Sequence, residues 1–389
     1  MACVRTSLRL NRNQYKSILP GTQTFAHSNP IISFRQASST PRISSWKPVA
    51  RSISNSSVAF DKMKCILIKD GTGPADNLYL GEEKTPEPGK GEASVKAFGL
   101  NRMDILQREG KYPLPPQASK TILGVEFSGV VDKLGEGAKL WKEGDEVYGL
   151  AYGGAYAEYI VNPETMLLPK PKEFDWVEAA GIPEVWMTAT QALLVETPLK
   201  EGQNVLIHAG ASGVGIAAIQ IALHVIGAGK VFTTCGSDEK VEFLKGLGHS
   251  DRLHVFNYKT QDFAEELKKH APGVDLIIDF IGKQYWQQNI SSLNLDGKML
   301  YLAFMSGAAF PEGANLAPIL GKRLTIKGST LRSRKSEYQH DLLEVFKEKV
   351  LPKILDKELQ VKIYKTYPWT DVIQAHKDME GNKNSGKVR

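Results

Sequence analysis

A glycine-rich segment at residues 204–215, Asn-Val-Leu-Ile-His-Ala-Gly-Ala-Ser-Gly-Val-Gly, is the strongest candidate for chemistry in this sequence. It follows an apolar run typical of a buried strand and precedes a helical pattern that begins near Val214. Gly210, Gly213 and Gly215 permit a tight turn, close backbone approach to an anion, and close packing of helix on strand. The helix N-terminus adds free N–H groups and a positive dipole end. We therefore expect a dinucleotide pyrophosphate to bind here, with a ligand-free turn as the alternative, since the spacing departs from G-x-G-x-x-G.

The residues after the next strand indicate which dinucleotide binds. An NAD site places Asp or Glu about 20 residues beyond the glycines, where the carboxylate bonds the ribose 2′-hydroxyl. Here the sequence is Thr-Thr-Cys-Gly-Ser at 233–237. Ser237, the next helix N-terminus and Lys240 would form a pocket for a 2′-phosphate, although Asp238 and Glu239 weaken the electrostatic argument. The sequence predicts NADPH, and the alternative is an ordinary capped helix with a surface lysine.

Strands and helices alternate along the chain from residue 205 to residue 303. The predicted strands are 205–208, 231–234, 255–257, 276–280 and 299–303, and the predicted helices are 214–226, 238–247, 263–269 and 286–293. Elements of these lengths in this order are typical of a parallel, doubly wound α/β sheet. A further helix is expected at 340–356, followed beyond residue 360 by β-like and then helical segments.

The chain between residues 64 and 168 is punctuated by Gly and Pro. Its predicted strands are 65–68, 92–97, 127–134, 146–150 and 157–161. Short strands separated by turn residues indicate a compact, barrel-like β domain. The predicted fold class is therefore α/β, with a β-barrel domain beside a doubly wound parallel sheet.

Composition bears on partners and location. The sequence is 42% hydrophobic and 24% charged, which is typical of a globular protein. Residues 1–60 contain no Asp or Glu and eight of the 49 Lys and Arg residues, so the other 41 basic residues face 43 acidic ones and residues 61–389 carry a net charge of −2. We expect no nucleic-acid partner for the folded body, and the chain lacks the apolar run of about 20 residues that a membrane span needs. The acid-free, Arg- and Ser-containing segment 1–60 predicts a mitochondrial transit peptide, with plastid as an alternative, or a cytosolic protein if the segment is an unaddressed extension.

Cysteines and histidines do not indicate another centre. Cys3, Cys65 and Cys235 are too far apart for a disulfide framework or a clustered zinc site. Cys235 has no adjacent base, so we expect no thiolate catalysis. His208 lies in the buried strand before the glycine-rich turn, and we interpret it as a packing residue rather than a proton donor.

Six stretches together resemble one enzyme family: 100–112, 123–129, 179–184, 206–215, 256–259 and 376–387. The chain resembles the zinc-free medium-chain dehydrogenase/reductases, specifically the quinone oxidoreductases related to zeta-crystallin, and within them the p53-inducible subfamily. The resemblance covers residues 64–387. Ser212 stands where many relatives have glycine, a feature shared with that subfamily.

The resemblance implies a domain organisation. Residues 1–60 would be the transit peptide, 61–184 a GroES-like substrate domain completed by 345–389, and 185–344 a Rossmann domain that binds NADPH. Cofactor and substrate would share the cleft between the domains, and the family usually forms a homodimer.

Zinc ligands found elsewhere in the superfamily are replaced in this chain. Zinc alcohol dehydrogenases carry a cysteine at the position of Asn101 and a Gly-His-Glu sequence where this chain has Gly124, Val125 and Glu126. Asp104 and Glu126 remain, but two carboxylates without Cys or His make a poor zinc site. We therefore expect no metal, and an acceptor that takes hydride readily.

By resemblance, Asn101, Asp104 and Tyr112 are the predicted catalytic residues at the nicotinamide end of the cleft. Asn101 would orient a carbonyl, and Tyr112 would hydrogen-bond cofactor or substrate. Asp104 has the alternative of a structural carboxylate paired with Arg102 or Arg108, and Tyr112 the alternative of a surface tyrosine.

The predicted cofactor-binding residues extend beyond the glycine-rich turn. Tyr258 corresponds to a family tyrosine near the adenosine 2′-phosphate, and the others follow strands or line the nicotinamide. The full predicted set is Tyr112, Gly210, Ser212, Gly213, Val214, Gly215, Ser237, Lys240, Tyr258, Phe304, Met305, Leu331 and Arg332.

Three functions remain open on the sequence alone. The first is an NADPH-dependent quinone oxidoreductase, since a delocalised acceptor suits metal-free hydride transfer. The second is an NADPH-dependent 2-alkenal or enone reductase on the same scaffold. The third is a non-catalytic, crystallin-like protein that binds NADPH.

Overall fold

The structure, a computed structural model, describes residues 62–86, 92–248 and 251–389. The predicted transit peptide at 1–60 lies outside the described residues.

The N-terminal lobe is built from short strands, as the sequence predicts. Its elements are β1 (Lys62–Ile68), β2 (Leu78–Lys84), β3 (Glu92–Phe98), α1 (Arg102–Arg108), β4 (Glu126–Val130), β5 (Glu146–Leu150), β6 (Tyr159–Val161) and β7 (Leu167–Pro169). β3 to β7 form an antiparallel sheet in the order β6-β3-β4-β5-β7, and β1 and β2 form a hairpin. Phe127, Val147 and Ile160 belong to the apolar core of this sheet.

Two predictions for this lobe need correction. The strand predicted at 127–134 ends at Val130, because the chain turns into a loop where Gly137 and Gly144 adopt positive φ angles of 80° and 88°. β2 was not predicted. Pairing with β1 supplies the backbone hydrogen bonds that keep its sequence, Leu-Tyr-Leu-Gly-Glu-Glu-Lys, extended.

Two helices and then a parallel sheet follow. The elements are α2 (Trp176–Ala180), α3 (Pro183–Thr190), β8 (Val205–Ile207), α4 (Gly213–Gln220), β9 (Val231–Cys235), α5 (Asp238–Lys245), β10 (Leu253–Asn257), α6 (Phe263–Lys268), β11 (Val274–Asp279), α7 (Trp286–Ser292), β12 (Leu293–Tyr301), α8 (Ala317–Gly321) and β13 (Thr325–Gly328). The six strands are parallel in the order β10-β9-β8-β11-β12-β13. The strand order reverses between β8 and β11, which confirms the doubly wound sheet and places a ligand crevice at the C-terminal end of β8.

The predicted helix 214–226 has a change of geometry within it. After α4, residues Ile221–Ile226 form a π-helical segment that ends at Gly227, whose φ of 76° is a left-handed cap. β13 was not predicted, because its exposed Thr-Ile-Lys-Gly sequence has little apolar signal. Among the described residues, it pairs with β12 alone.

The C-terminal region contains α9 (Ser336–Lys349), α10 (Leu351–Leu355), β14 (Ile363–Lys365), α11 (Val372–Glu380) and β15 (Lys387–Val388). The helix predicted at 340–356 is broken at Val350, because Pro352 cannot donate a backbone hydrogen bond inside a continuous helix.

The predicted domain boundaries fall inside helices. The boundary at 344/345 lies within α9, whose Leu342, Leu343 and Phe346 pack as one face in the core beside the parallel sheet. The boundary at 184/185 lies within α3. The implied return of the tail to the N-terminal lobe is present, since Val388 bridges Leu100.

Arg108 joins three parts of the N-terminal lobe and is 1% exposed. Its Nε donates to the Gly73 carbonyl at 2.9 Å, Nη1 lies 3.0 Å from His376 Nδ1 on α11, and Nη2 pairs with Glu380. Burial and the Arg108 charge lower the pKa of His376 to about 3, so the imidazole is neutral and accepts from the guanidinium. Arg108 therefore fixes α1, whose N-cap is the candidate catalytic residue Asn101, against α11.

Replacing Arg108 with Ala removes one partner of this buried pair, so we expect the free energy of unfolding to fall by about 3 kcal/mol or more. Denaturant unfolding monitored by fluorescence measures this change. Lys111→Ala, which removes an exposed pair with Glu109, is the matched control and should change stability by less than about 1 kcal/mol. Equal, small changes for the two variants would show that Arg108 does not anchor α1.

Candidate cofactor and active site

The glycine-rich turn connects β8 to α4 at the crevice. Gly210 packs on β9, since a Cβ there would lie 2.0 Å from Thr233 Oγ1, and a Cβ on Gly215 would lie 2.4 Å from the Ala209 carbonyl oxygen. A Cβ on Gly213 would lie 2.8 Å from Val185 Cγ1, so this glycine makes room for α3. The three predicted glycines are therefore required by close packing of the turn, as helix–strand contact demands.

Anion-binding groups are available at the start of α4. Ser212 is the N-cap, and its Oγ accepts from Gly215 N at 3.0 Å. Within the described part of the chain, no group accepts from the N–H groups of Gly213 and Val214. Two free N–H groups at the positive end of a helix fit a pyrophosphate.

The predicted 2′-phosphate residues meet after β9. Ser237 caps α5 and accepts from Lys240 N at 3.3 Å, which places Lys240 in the first turn. The Tyr258 hydroxyl lies over Gly236, 2.6 Å from where a Cβ would be. The structure thus brings Ser237, Lys240 and Tyr258 together, as predicted. Asp238 is engaged by Asn257 Nδ2 at 2.7 Å.

Two features near Lys240 were not predicted. Its Nζ donates to the Asn382 carbonyl at 2.7 Å, and the Asn382 side chain accepts from Arg102 Nη2 at 2.7 Å. Burial lowers the pKa of Lys240, and the charges of Arg102 and Lys259 act in the same direction. The 2′-phosphate region is therefore more cationic than the local sequence at 237–240 suggests.

Asn101 lies at the end of a buried ion pair. Its Nδ2 donates to Glu126 Oε1 at 2.8 Å, and its Oδ1 accepts from Lys387 Nζ. Lys387 also pairs with Glu126, and both side chains are buried. Gly99 lacks a Cβ where one would lie 2.2 Å from Glu126 Oε1, which makes room for the carboxylate. The side chain of Asn101 is thereby fixed in position.

Asp104 is buried at the start of α1, and its catalytic role stays a prediction. Asp104 is 0% exposed, and its Oδ2 accepts from Asn101 N at 2.8 Å, which completes a capping box for α1. Oδ1 accepts from Gly124 N at 3.2 Å, and the Tyr156 hydroxyl donates to Oδ2 at 3.3 Å. Burial raises the pKa of Asp104 to about 6. Asp104 positions Asn101 and does not contact Arg102 or Arg108, the partners of the structural alternative.

Tyr112 lies beside Arg332. The Arg332 guanidinium carbon is 5.5 Å from the Tyr112 ring centroid, and burial followed by the Glu184 charge raises the pKa of Tyr112. Arg332 is 2% exposed and donates to Gln107 Oε1 and to the Tyr152 carbonyl, each at 2.8 Å. Tyr112 is half-buried, and the Arg332 guanidinium packs over its ring.

The remaining predicted residues lie at strand ends. Phe304 and Met305, each 49% exposed, follow β12, and a Cβ on Gly282 would lie 2.8 Å from Phe304 Cδ1. Leu331 is buried next to Arg332. These positions agree with a crevice lined by the loops after the strands.

His208 and Cys235 are both buried in the protein. His208 is 0% exposed, with Nδ1 3.0 Å from Thr234 Oγ1 and Nε2 2.7 Å from Asn289 Oδ1, and burial lowers its pKa. Burial raises the pKa of Cys235. The prediction that neither acts in catalysis agrees with these contacts.

Three residues of the site were not identified from the sequence as functional: Glu126 as an anchor, Lys387, and Glu184. The side chain of Glu184 is 5% exposed, and its backbone N donates to Glu126 Oε2 at 2.7 Å. The sequence places the Glu184 carboxylate directly after Pro183 at the start of α3, within the family-like stretch 179–184, and this position could have marked it as functional. Only the tertiary contacts show which groups surround Glu184.

Neither a metal-binding cluster nor a helix that could span a membrane is present in the described residues. No three His, Cys, Asp or Glu side chains lie together there in a group that would hold a metal ion. Across the same residues, no helix is both long and apolar enough to cross a membrane.

Two family models match the chain. Residues 88–172 match the alcohol dehydrogenase GroES-like domain, and residues 213–348 match the zinc-binding dehydrogenase family.

Similar proteins cover most of the chain. A Burkholderia 2-haloacrylate reductase is 32% identical over 84% of this chain and 98% of its own length. The chloroplastic NADPH-dependent alkenal/one oxidoreductase of Arabidopsis thaliana is 31% identical over 76% of this chain and 70% of its own length, and a quinone oxidoreductase of Lama guanicoe is 28% identical over 84% and 96%.

A solved structure agrees with this relationship. The Escherichia coli quinone oxidoreductase complexed with NADPH superposes with a TM-score of 0.74, at 27% identity, over 84% of this chain and 98% of that one. With both lobes, the glycine-rich turn and the full-length relatives in agreement, the chain belongs to the medium-chain dehydrogenase/reductase family, among its quinone oxidoreductase-like members.

Proposed function

We propose that this protein is an NADPH-dependent oxidoreductase that reduces quinones without a metal, in the crevice between its two lobes. The contact that carries the proposal is made by the C-terminal tail. Gly386 N donates to the Ala211 carbonyl in the glycine-rich turn at 2.9 Å, and the next residue, Lys387, contacts Asn101 and Glu126. A dinucleotide held on the turn would therefore extend to the Asn101 cluster.

NADPH fits the residues present. The free N–H groups of Gly213 and Val214 would hold the pyrophosphate, and Ser237, Lys240 and Tyr258 would hold the 2′-phosphate. Relatives named for NADPH, including a mycobacterial protein solved with it at 28% identity and a TM-score of 0.71, support this assignment. When bound, NADPH supplies the hydride.

The protein residues would orient the acceptor and stabilise developing negative charge. One N–H of Asn101 Nδ2 bonds Glu126, and its second N–H is available for an acceptor carbonyl. The Lys387 ammonium, paired with Glu126, contacts Asn101 Oδ1 in a buried site, where electrostatic interactions are stronger than in water. Because Asn101 Oδ1 already accepts from Lys387, it is not offered to a metal ion, which supports metal-free chemistry. Tyr112 would donate its hydroxyl proton to the acceptor in a hydrogen bond.

A second candidate is reduction of 2-alkenals or enones. The 2-haloacrylate reductase and the alkenal/one oxidoreductase are 32% and 31% identical to this chain, slightly more than the 28% of the quinone oxidoreductase from Lama guanicoe. The same amide and charge would stabilise an enolate oxygen.

We also propose a homodimer formed through β13. Among the described residues this outer strand pairs with β12 alone, which leaves one row of backbone groups for a second strand. Leu295, Leu316 and Leu320 nearby are exposed, Leu320 by 84%. An apolar patch beside an open strand fits a second copy of this chain, because a two-fold axis would pair the two identical edges.

For cofactor selectivity, we expect Ser237→Ala combined with Lys240→Ala to lower kcat/KM for NADPH by about 10- to 100-fold and to leave that for NADH nearly unchanged, since a charge-assisted bond contributes about 1.5–3 kcal/mol. Steady-state kinetics with both cofactors measure the ratio. Lys245→Ala, at the other end of α5, is the control. An unchanged NADPH/NADH ratio in the double variant would mean that the pocket is wrongly assigned.

For the acceptor, we expect a higher kcat/KM with a small ortho-quinone than with a 2-alkenal, because the hydroquinone anion is more delocalised than the enolate. NADPH oxidation followed by absorbance compares them. Equal or faster alkenal reduction would replace the first candidate by the second. Tight NADPH binding with no oxidation by any acceptor would identify a non-catalytic, crystallin-like protein.

For the dimer, Leu320→Glu should convert the protein from dimer to monomer, because a buried carboxylate without a partner opposes association. Light scattering coupled to gel filtration measures the molar mass. Glu312→Gln on an adjacent exposed loop is the control and should remain dimeric. A wild-type monomer would contradict the proposal directly.

A further inference from the structure

Glu184 lies between the glycine-rich turn and the Asn101 cluster. It is the second residue of α3, and the next residue, Val185, packs against Gly213 of the turn. Its backbone N–H is bonded to Glu126, which is itself bonded to Asn101. Burial and then the Glu184 charge raise the pKa of Tyr112, so these two side chains are neighbours. Glu184 therefore lies beside Tyr112 and the Asn101 cluster, where the resemblance places the nicotinamide end of the cleft.

Among the described residues, the Glu184 carboxyl has no hydrogen-bond partner. Across residues 62–86, 92–248 and 251–389, no group hydrogen-bonds its side-chain oxygens, although the residue is only 5% exposed. Its neighbour Glu126 is fully satisfied, because Asn101 and Lys387 bind Oε1 and Glu184 N binds Oε2. The nearby ammonium is thus already paired with a different carboxylate.

Burial and the neighbouring charges keep the Glu184 carboxyl protonated. Burial and then the Glu126 charge raise its pKa from the ordinary 4.5 to about 8, with Asp104 acting in the same direction and Lys387 and Arg332 opposing. The α3 dipole favours the carboxylate by only about 0.3–1 kcal/mol, less than one pKa unit. At neutral pH the group therefore carries a proton that it can donate.

We propose that Glu184 is the general acid of the reaction and that it protonates the reduced acceptor. This step rests on the proposed function. Hydride supplied by bound NADPH would convert the acceptor to a hydroquinone or enolate anion. The O–H bond of Glu184 breaks, an O–H or C–H bond forms on that anion, and solvent returns a proton to the carboxylate. The sum is NADPH plus H⁺ plus acceptor giving NADP⁺ plus reduced acceptor.

Glu184→Gln tests the step with the acceptor that the wild-type enzyme reduces fastest. We expect kcat to fall on the order of 100-fold, the usual contribution of a general acid, with little change in the Kd for NADPH. The wild-type rate should fall as pH rises through about 8, where the acid is lost, and Glu184→Gln should lack this decline. Glu173→Gln, the same change at an exposed position in the loop before α2, should match the wild type.

A second measurement needs no turnover. The pKa of Glu184 is higher in the native state than in the unfolded state, so the native state binds more protons than the unfolded state between pH 4.5 and about 8. The free energy of unfolding of the wild type therefore falls as pH rises through that range. Glu184→Gln has no carboxyl to titrate at this position, so it lacks this pH dependence of the free energy of unfolding. It also loses the repulsion from Glu126, so it should fold. We expect its Tm to rise relative to the wild type between about pH 5 and about pH 9.

The outcomes separate the two proposals. A wild type that reduces no acceptor overturns the proposed function, and the acid role with it. A wild type that is active while Glu184→Gln keeps its rate and its alkaline decline overturns the acid role alone. A Tm difference that is constant with pH shows that Glu184 holds no proton and also overturns it.

Discussion

The buried contact of Lys387 with Glu126 and Asn101 is the constraint on which the site depends. Burying an ammonium and a carboxylate is costly unless each has a partner, and loss of one partner of such a pair typically costs about 3–5 kcal/mol. The contact holds the C-terminal tail on the N-terminal lobe, fixes the Asn101 amide, and uses the ammonium that Glu184 would otherwise pair with. The ion pair therefore sets both the geometry and the protonation of the site.

Packing around the glycine-rich turn joins cofactor binding to this cluster. α3 contacts Gly213 through Val185, the tail contacts Ala211 through Gly386, and β9 contacts Gly210 through Thr233. The contacts at Gly210 and Gly213 need a residue without a side chain, and the contact at Ala211 is made by its backbone carbonyl. A turn held from three sides cannot move independently of the residues that face the acceptor, which favours a preorganised site.

Much of the fold was predictable because its signals are local. Apolar runs separated by helical patterns located the strands and helices of the parallel sheet, and the glycines located the crevice. Two of the strands that were missed, β2 and β13, have polar or short sequences and are held by pairing with a neighbour. α9 crosses a predicted domain boundary because one continuous apolar face packs as a unit, which composition does not reveal.

The sequence by itself determined the fold class, the dinucleotide turn, and Ser237 and Lys240 beside it, because parallel strands bring successive loops to one edge of a sheet. Tyr258 was predicted there from the family resemblance. Tertiary structure alone decided the roles of the carboxylates. Asp104 is used to cap α1, Glu126 pairs with a lysine 261 positions away in the chain, and the buried Glu184 carboxyl has no hydrogen-bond partner in the described part of the chain. The charge state of a carboxyl depends on burial and on neighbouring charges, and residues far apart in sequence supply both.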